Sequence, residues 1–201
     1  MATICLQIAL MVVLLGNRLA PAAEAVDDWP SFRGGPQMAG VASFALSPPL
    51  RLLWMHETGS AVESPAAIVR DAVYIGTSAC EILALDLATG EPRWKAKTQG
   101  PVSAAPCVAG GVVYVGDEAG AFHALDAATG KPLWQVKAGG KIVSSATFSS
   151  GTILFGSYDN KLYCLDAGSG KAMWEFQADA QVHCSPCVAG GLVIIAGCDG
   201  K

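Results

Sequence analysis

The sequence predicts an all-β fold, a β-propeller of four-stranded antiparallel blades, and three observations carry that prediction. Trp54, Trp94, Trp134 and Trp174 recur at a fixed spacing of 40 residues, and self-similarity at about 40 residues marks stacked or radially repeated small sheets. Each interval holds four short apolar runs separated by Gly, Asp or Thr-Gly punctuation, the pattern of short antiparallel strands joined by tight turns. The 201 residues are 52% hydrophobic and only 15% charged, with 23 glycines. That balance suits a β-rich globular chain and argues against disorder.

In chain order, residues 1–25 come first and read as a secretory signal. Residues 8–15 form an apolar run too short to span a bilayer. Small residues follow in Ala20-Pro21-Ala22 and Ala23-Glu24-Ala25, which resemble A-x-A cleavage sites. The mature chain then starts near Val26, is exported to a periplasmic or extracellular compartment, and has no transmembrane segment. Residues 26–50 form a strap with the run Asp28-Trp29-Pro30-Ser31-Phe32-Arg33-Gly34-Gly35, expected to pack Trp29 and Phe32 over the repeats.

Residues 51–57 read as an outermost strand ahead of the first full unit. Three complete blades are expected over 62–97, 102–137 and 142–177, and two inner strands of a fourth over 180–197. Within the second unit, Gly110-Gly111 between two β-rich runs is a two-residue hairpin signal. Asp126 to Gly130 supplies an Asx-type turn and a glycine able to take positive φ. The repeat stops inside its fourth unit, so the pattern predicts the N-terminal part of a longer propeller, of about seven or eight blades in full.

The register is dense. Asp86, Asp126 and Asp166 keep the 40-residue spacing, as do Gly90, Gly130 and Gly170. Residues 84–94 follow A-x-D-x-x-T-G-x-x-x-W, residues 124–134 repeat it in full, and residues 164–174 keep Asp166, Gly170 and Trp174 with Cys164 at the first position. This pattern resembles the tryptophan-docking motif of the pyrroloquinoline quinone (PQQ) repeat family, across residues 51–201. The family includes quinoprotein dehydrogenases and the non-enzymatic BamB-type subunit of the outer-membrane assembly machinery. The resemblance implies that each Trp stacks between its own first-position residue and the glycine of the next motif. Trp94 would then lie between Ala84 and Gly130, and Trp134 between Ala124 and Gly170. Burying most of an indole contributes about 4–6 kcal/mol as an upper area estimate. Trp54 departs from the pattern, because residues 44–53 lack the Asp and Gly. The strap run resembles a leader of secreted quinoprotein-like propellers.

Residues that break the repeat are the candidates for function. The slot after Val62 holds Glu63, Ser103, Val143 and His183 in successive units. The resemblance puts that slot near the mouth of the central channel, where Glu63 and His183 could flank one ligand. A variable, solvated rim position explains the same residues. His123, in the slot of Leu83 and Tyr163, is expected to be a packed or surface histidine. Cys184-Ser185-Pro186-Cys187 has C-x-x-C spacing, yet both cysteines fill small-residue slots of the repeat, which favours packing over metal or redox chemistry.

A formal net charge of −4 and unclustered cations exclude a nucleic-acid role. Two functions remain. One is a non-catalytic module presenting a propeller face or funnel to a protein partner. The alternative is part of a PQQ-dependent dehydrogenase of alcohols or sugars, with PQQ and calcium as cofactors. No catalytic or metal residue stands out from the repeat, and the motif aspartates read as turn formers.

Overall fold

The computed structural model describes residues 28–42, 45 and 48–197. The signal reading of residues 1–25 lies outside them. Three four-stranded antiparallel sheets and one hairpin follow one another along the chain. The first blade comprises β1 (Ala67–Val69), β2 (Ala72–Thr77), β3 (Glu81–Asp86) and β4 (Pro92–Lys97). The second comprises β5 (Cys107–Ala109), β6 (Val112–Gly116), β7 (Ala121–Asp126) and β8 (Pro132–Lys137). The third comprises β9 (Thr147–Ser149), β10 (Thr152–Gly156), β11 (Lys161–Asp166) and β12 (Ala172–Gln177). Two inner strands, β13 (Cys187–Ala189) and β14 (Leu192–Ile194), begin a fourth. Within each sheet the strands lie in sequence order, so every connection is a local turn.

The turns follow from the residues at them. Ala109 faces Val112 across a two-residue loop in which Gly110 and Gly111 both take positive φ, 58° and 79°. Such a loop matches strand twist and suits glycine. The third and fourth strands of each blade slip by one residue at the same place, between Ala84 and Leu85, Ala124 and Leu125, and Cys164 and Leu165. A bulge at a repeated position re-aims side chains in the same way in every blade.

The innermost strands are shorter than the apolar runs suggest. Each starts after a stretch that bonds to the neighbouring blade instead of its own. Ser64 Oγ donates to the Ala104 carbonyl at 2.8 Å, and Ser144 Oγ donates to the Cys184 carbonyl at 2.8 Å. The Ala105 N–H donates to Ser145 Oγ at 2.9 Å. Pro65, Pro106 and Pro186 have no N–H to give a ladder. Residues 51–57 form no strand, which corrects the expectation of an outermost one. A strand needs a ladder partner, and none of the described segments pairs with this one.

Blades meet where small residues face large ones. A Cβ on Gly116 would lie 2.2 Å from Ile142 Cγ2, and one on Gly76 2.2 Å from Val102 Cγ1. Those partners, with Val182, are at most 1% exposed, whereas Val62, the first of the series, is 46% exposed. Between the second and third blades Phe122 and Phe155 stack with ring centroids 4.0 Å apart.

The strap crosses the inner edges of three blades. The Trp29 carbonyl accepts the Ile68 N–H at 2.9 Å, the Pro30 carbonyl the Val108 N–H at 2.8 Å, and the Pro36 carbonyl the Val188 N–H at 2.8 Å. These amides stand on β1, β5 and β13, whose edges would otherwise be open to pairing. Gly34 lies against the Trp29 ring with positive φ, and an added Cβ would come within 3.1 Å of it.

Candidate functional site at the seam of the first two blades

Each seam is closed by a tryptophan, and its geometry can be built atom by atom. Trp94 faces Ala84 across the strand pair, and its ring covers Gly130 so closely that a Cβ there would sit 2.6 Å from the indole. Gly130 takes φ of +69°, a conformation in which L side chains are strained. Trp94 Nε1 donates to the Ala127 carbonyl at 2.9 Å, and the Tyr74 hydroxyl donates to the same oxygen at 3.2 Å. Trp134 repeats the arrangement between Ala124 and Gly170. Its Nε1 and the Tyr114 hydroxyl both donate to Ala167, at 3.1 and 3.0 Å. Trp54 docks likewise on Gly90 and donates to Leu87 at 2.8 Å, although no motif precedes it. Trp174 is 42% exposed.

The motif aspartates shape the turns that receive these rings. Oδ1 of Asp86, Asp126 and Asp166 accepts the N–H and hydroxyl of Thr89, Thr129 and Ser169 respectively. The bonds favour the carboxylate form and lower the pKa of each. Asp86 falls to about 2, mainly because the Arg93 guanidinium also bonds it.

Two clefts flank the Trp94 clasp. The first, of about 570 Å³, is roofed by Asp28 and Pro30 of the strap and walled by Arg70, Asp71, Arg93 and Asp126. Arg93 bridges Asp71 at 2.7 Å and Asp86 at 2.6 Å, and both carboxylates raise its pKa. The second cleft, of about 460 Å³, lies on the other side of the clasp, between Lys95 and Lys97 of β4 and Lys131 and Gln135 of the second blade. Glu81 accepts Lys97 at 2.8 Å and Lys95 at 3.0 Å, which lowers its pKa.

These walls are where the repeat breaks down. Arg70-Asp71 stands where later blades have Gly110-Gly111 and Ser150-Gly151, and Arg93 stands where they have Leu133 and Met173. His123 lines the second cleft and is 6% exposed. Its Nε2 meets Asp117 Oδ2 at 2.9 Å. Asp117 is fully buried and also accepts the Ala121 N–H at 2.9 Å and the Gln99 N–H at 3.0 Å. Burial pushes its pKa up, but His123 and these amides outweigh it, and the net shift is downward. The pair thereby ties the turn after β6 to the linker from the first blade. In the third blade Tyr163 and Asp159 take over, with the hydroxyl on Asp159 at 2.5 Å and the Gly139 N–H on the same oxygen at 2.7 Å.

Glu63 and His183 are both exposed and lie in the loops leading into β1 and β13. Ser103, in the same slot, donates to Glu118 at 3.0 Å. Cys80, Cys107, Cys164, Cys184 and Cys187 are free thiols. Burial pushes the Cys107 thiol up to about 12, which keeps it protonated and inert. Arg70, Arg93, Asp117 and Lys95 were not singled out from the sequence. Arg70 and Arg93 depart from slots otherwise filled by Gly or Ser and by apolar residues, whereas Lys95 and Asp117 stand in slots that vary from blade to blade.

No group of three or more His, Cys, Asp or Glu side chains stands close enough among the described residues to hold a metal ion. The motif aspartates spend Oδ1 on their own turns.

A family model described as outer membrane protein assembly factor BamB matches residues 44–147 and 123–201. Among solved structures, BamB from Moraxella catarrhalis superposes with a TM-score of 0.65 at 21% identity, covering 72% of this chain and 46% of that one. The computationally designed Ika4 protein superposes with a TM-score of 0.69 at 19% identity, over 77% of this chain and 96% of that one. The quinohemoprotein alcohol dehydrogenase from Comamonas testosteroni gives 0.64 at 22% identity, over 75% of this chain and 27% of the enzyme. The chain thus spans less than half the length of BamB and about a quarter of the dehydrogenase. At these identities the likeness is one of fold. No curated protein matches the sequence. The matched residues take in most of the chain, which belongs to the PQQ-like repeat β-propeller family of the assembly factor BamB.

Proposed function

We propose that this chain is an exported, non-catalytic propeller module that serves as a protein-interaction scaffold. The observation that carries the reading is where the repeat-breaking charges stand. Arg70, Asp71, Arg93 and Lys95 line two clefts at one seam, as surface recognition requires. The strap supports the same reading, because its carbonyls occupy the amides of the inner edges. No helix among the described residues is long and apolar enough to cross a membrane, in keeping with a module that works on a membrane machine from outside the bilayer.

The second reading, a PQQ-dependent dehydrogenase of alcohols or sugars, draws on the likeness to a quinohemoprotein alcohol dehydrogenase. One assay separates the two. The protein, purified in full-length form, is incubated with PQQ and calcium, and dye reduction is followed with alcohol and sugar substrates. The scaffold reading predicts no substrate-dependent reduction, and sustained turnover would overturn it. Export is tested separately by fusing residues 1–25 to alkaline phosphatase, which is active only after translocation. An inactive fusion would remove that part of the proposal.

A further inference from the structure

The cleft beside Lys95 combines two chemistries. It is lined by the apolar side chains of Ala96 and Leu125 and by the lysines Lys95, Lys97 and Lys131. Glu81 is the one carboxylate that engages Lys95 and Lys97, so the cleft keeps an excess of positive charge on a chain whose formal net charge is −4. One wall is β4, which pairs only with β3 and so leaves its other edge open. A lysine-bearing edge strand is often a guard against unwanted pairing. Here Lys95 and Lys97 flank Ala96 on β4, and a third lysine, Lys131, lines the same cleft from the second blade, where it does not guard that edge.

The next seam lacks this combination. Gln135 replaces Lys95, and Tyr163 replaces His123. The Tyr163 ring stacks on Phe155 with centroids 5.0 Å apart, and Lys137 turns back to the Ala119 carbonyl. His123 is held by Asp117 and lines the cleft.

We propose that this groove receives an extended acidic segment of a partner protein, laid along the open edge of β4. Side chains of a strand alternate between its faces, so a segment alternating glutamate with small apolar residues would place carboxylates on the Lys95 and Lys97 face of β4 and apolar groups on its Ala96 face. Main-chain bonds to the strand edge would supply affinity, and the lysines would supply selectivity. The proposal rests on the scaffold reading and names the surface and partner chemistry for it.

The test is a titration of the full chain with a fluorescein-labelled peptide alternating glutamate and valine, followed by anisotropy. Saturable binding is expected, weakened at least about tenfold by Lys95→Glu with Lys131→Glu. Gln135→Glu, in the same cleft, should weaken it about threefold. Lys171→Glu at the next seam should leave it unchanged, and a peptide with lysine in place of glutamate should not bind. An unchanged urea midpoint shows that the variants are folded. No saturation by about 1 mM peptide, or equal affinity for the double variant, would overturn the proposal. The dye assay judges the scaffold reading independently, because a failed titration with no dye reduction removes the groove alone.

Discussion

The first seam, between blades one and two, and the second, between blades two and three, are held by the same clasp and dressed with different charges. Trp94 and Trp134 each cover a glycine of the following turn and share its carbonyl with a tyrosine. Around the first clasp stand Arg93, Lys95, Lys97 and a buried His123–Asp117 pair. In the corresponding slots the second has Leu133, Gln135, Lys137, Tyr163 and Ser157. The difference separates two kinds of residue. The recurring clasp residues supply stability, while those that depart either brace one seam, as Asp117 and His123 do, or are free to supply recognition.

Two exposed members of the series show how far the burial of each slot depends on a neighbour. Val62 and Trp174 occupy the same slots as Val102 and Trp134, yet they are 46% and 42% exposed, whereas Val102 is 1% exposed. Burial is provided by the adjoining blade, as expected of an array whose units contact only their neighbours.

The largest predicted effect breaks both seams alike. Trp94→Ala and Trp134→Ala should each cost about 3–5 kcal/mol in urea unfolding, because each empties a packed indole site. Unequal losses would show that the clasps are not equivalent. Removing the feature particular to the first seam should cost less. Asp117→Ala strands the amides of Gln99 and Ala121 and should destabilise by about 2–3 kcal/mol, with no counterpart for Ser157→Ala beyond about 1 kcal/mol.

Acid acts on the same group. The folded pKa of Asp117 is depressed, so its contribution is present above the ordinary carboxylate value and is lost as pH falls through the folded one. Asp86, Asp126 and Asp166 are depressed too. The urea midpoint should therefore hold from pH 7 to about 5 and decline below about 4. Asp117→Asn should flatten the decline. The smallest effect is expected at Trp174, 42% exposed in this structure, where Trp174→Ala should change stability by no more than about 0.5 kcal/mol.

Much of the fold was legible because a 40-residue period can be counted. The four-stranded blades, the Gly110-Gly111 hairpin and the partial fourth unit follow from spacing and turn residues. Residues 51–57 misled because apolar alternation around Trp54 resembles a strand, while strand formation depends on a partner that sequence does not display. The inner strands were overextended for a related reason. Ser64, Ser144 and Ser145 look like interchangeable small residues, yet they bond the neighbouring blade.

The candidate site was less legible. His123 was visible as a departure from the repeat, but its partner Asp117 sits in a slot that alternates among Thr77, Asp117 and Ser157 and drew no notice. The basic groove draws its walls from three strands and a turn, so no local pattern announces it. Glu63 and His183 stood out instead, because they share one slot of the repeat.

The central claim is that each seam is closed by a ring docking on its neighbour's glycine, and a double-mutant cycle between Trp94→Ala and Gly130→Ala tests it most directly. Gly130→Ala alone should cost about 2–4 kcal/mol, from backbone strain at positive φ and from the clash with the indole. With Trp94 already removed, the clash disappears and the added cost should fall to about 1–2 kcal/mol. Losses that add to within about 0.5 kcal/mol would contradict the clasp.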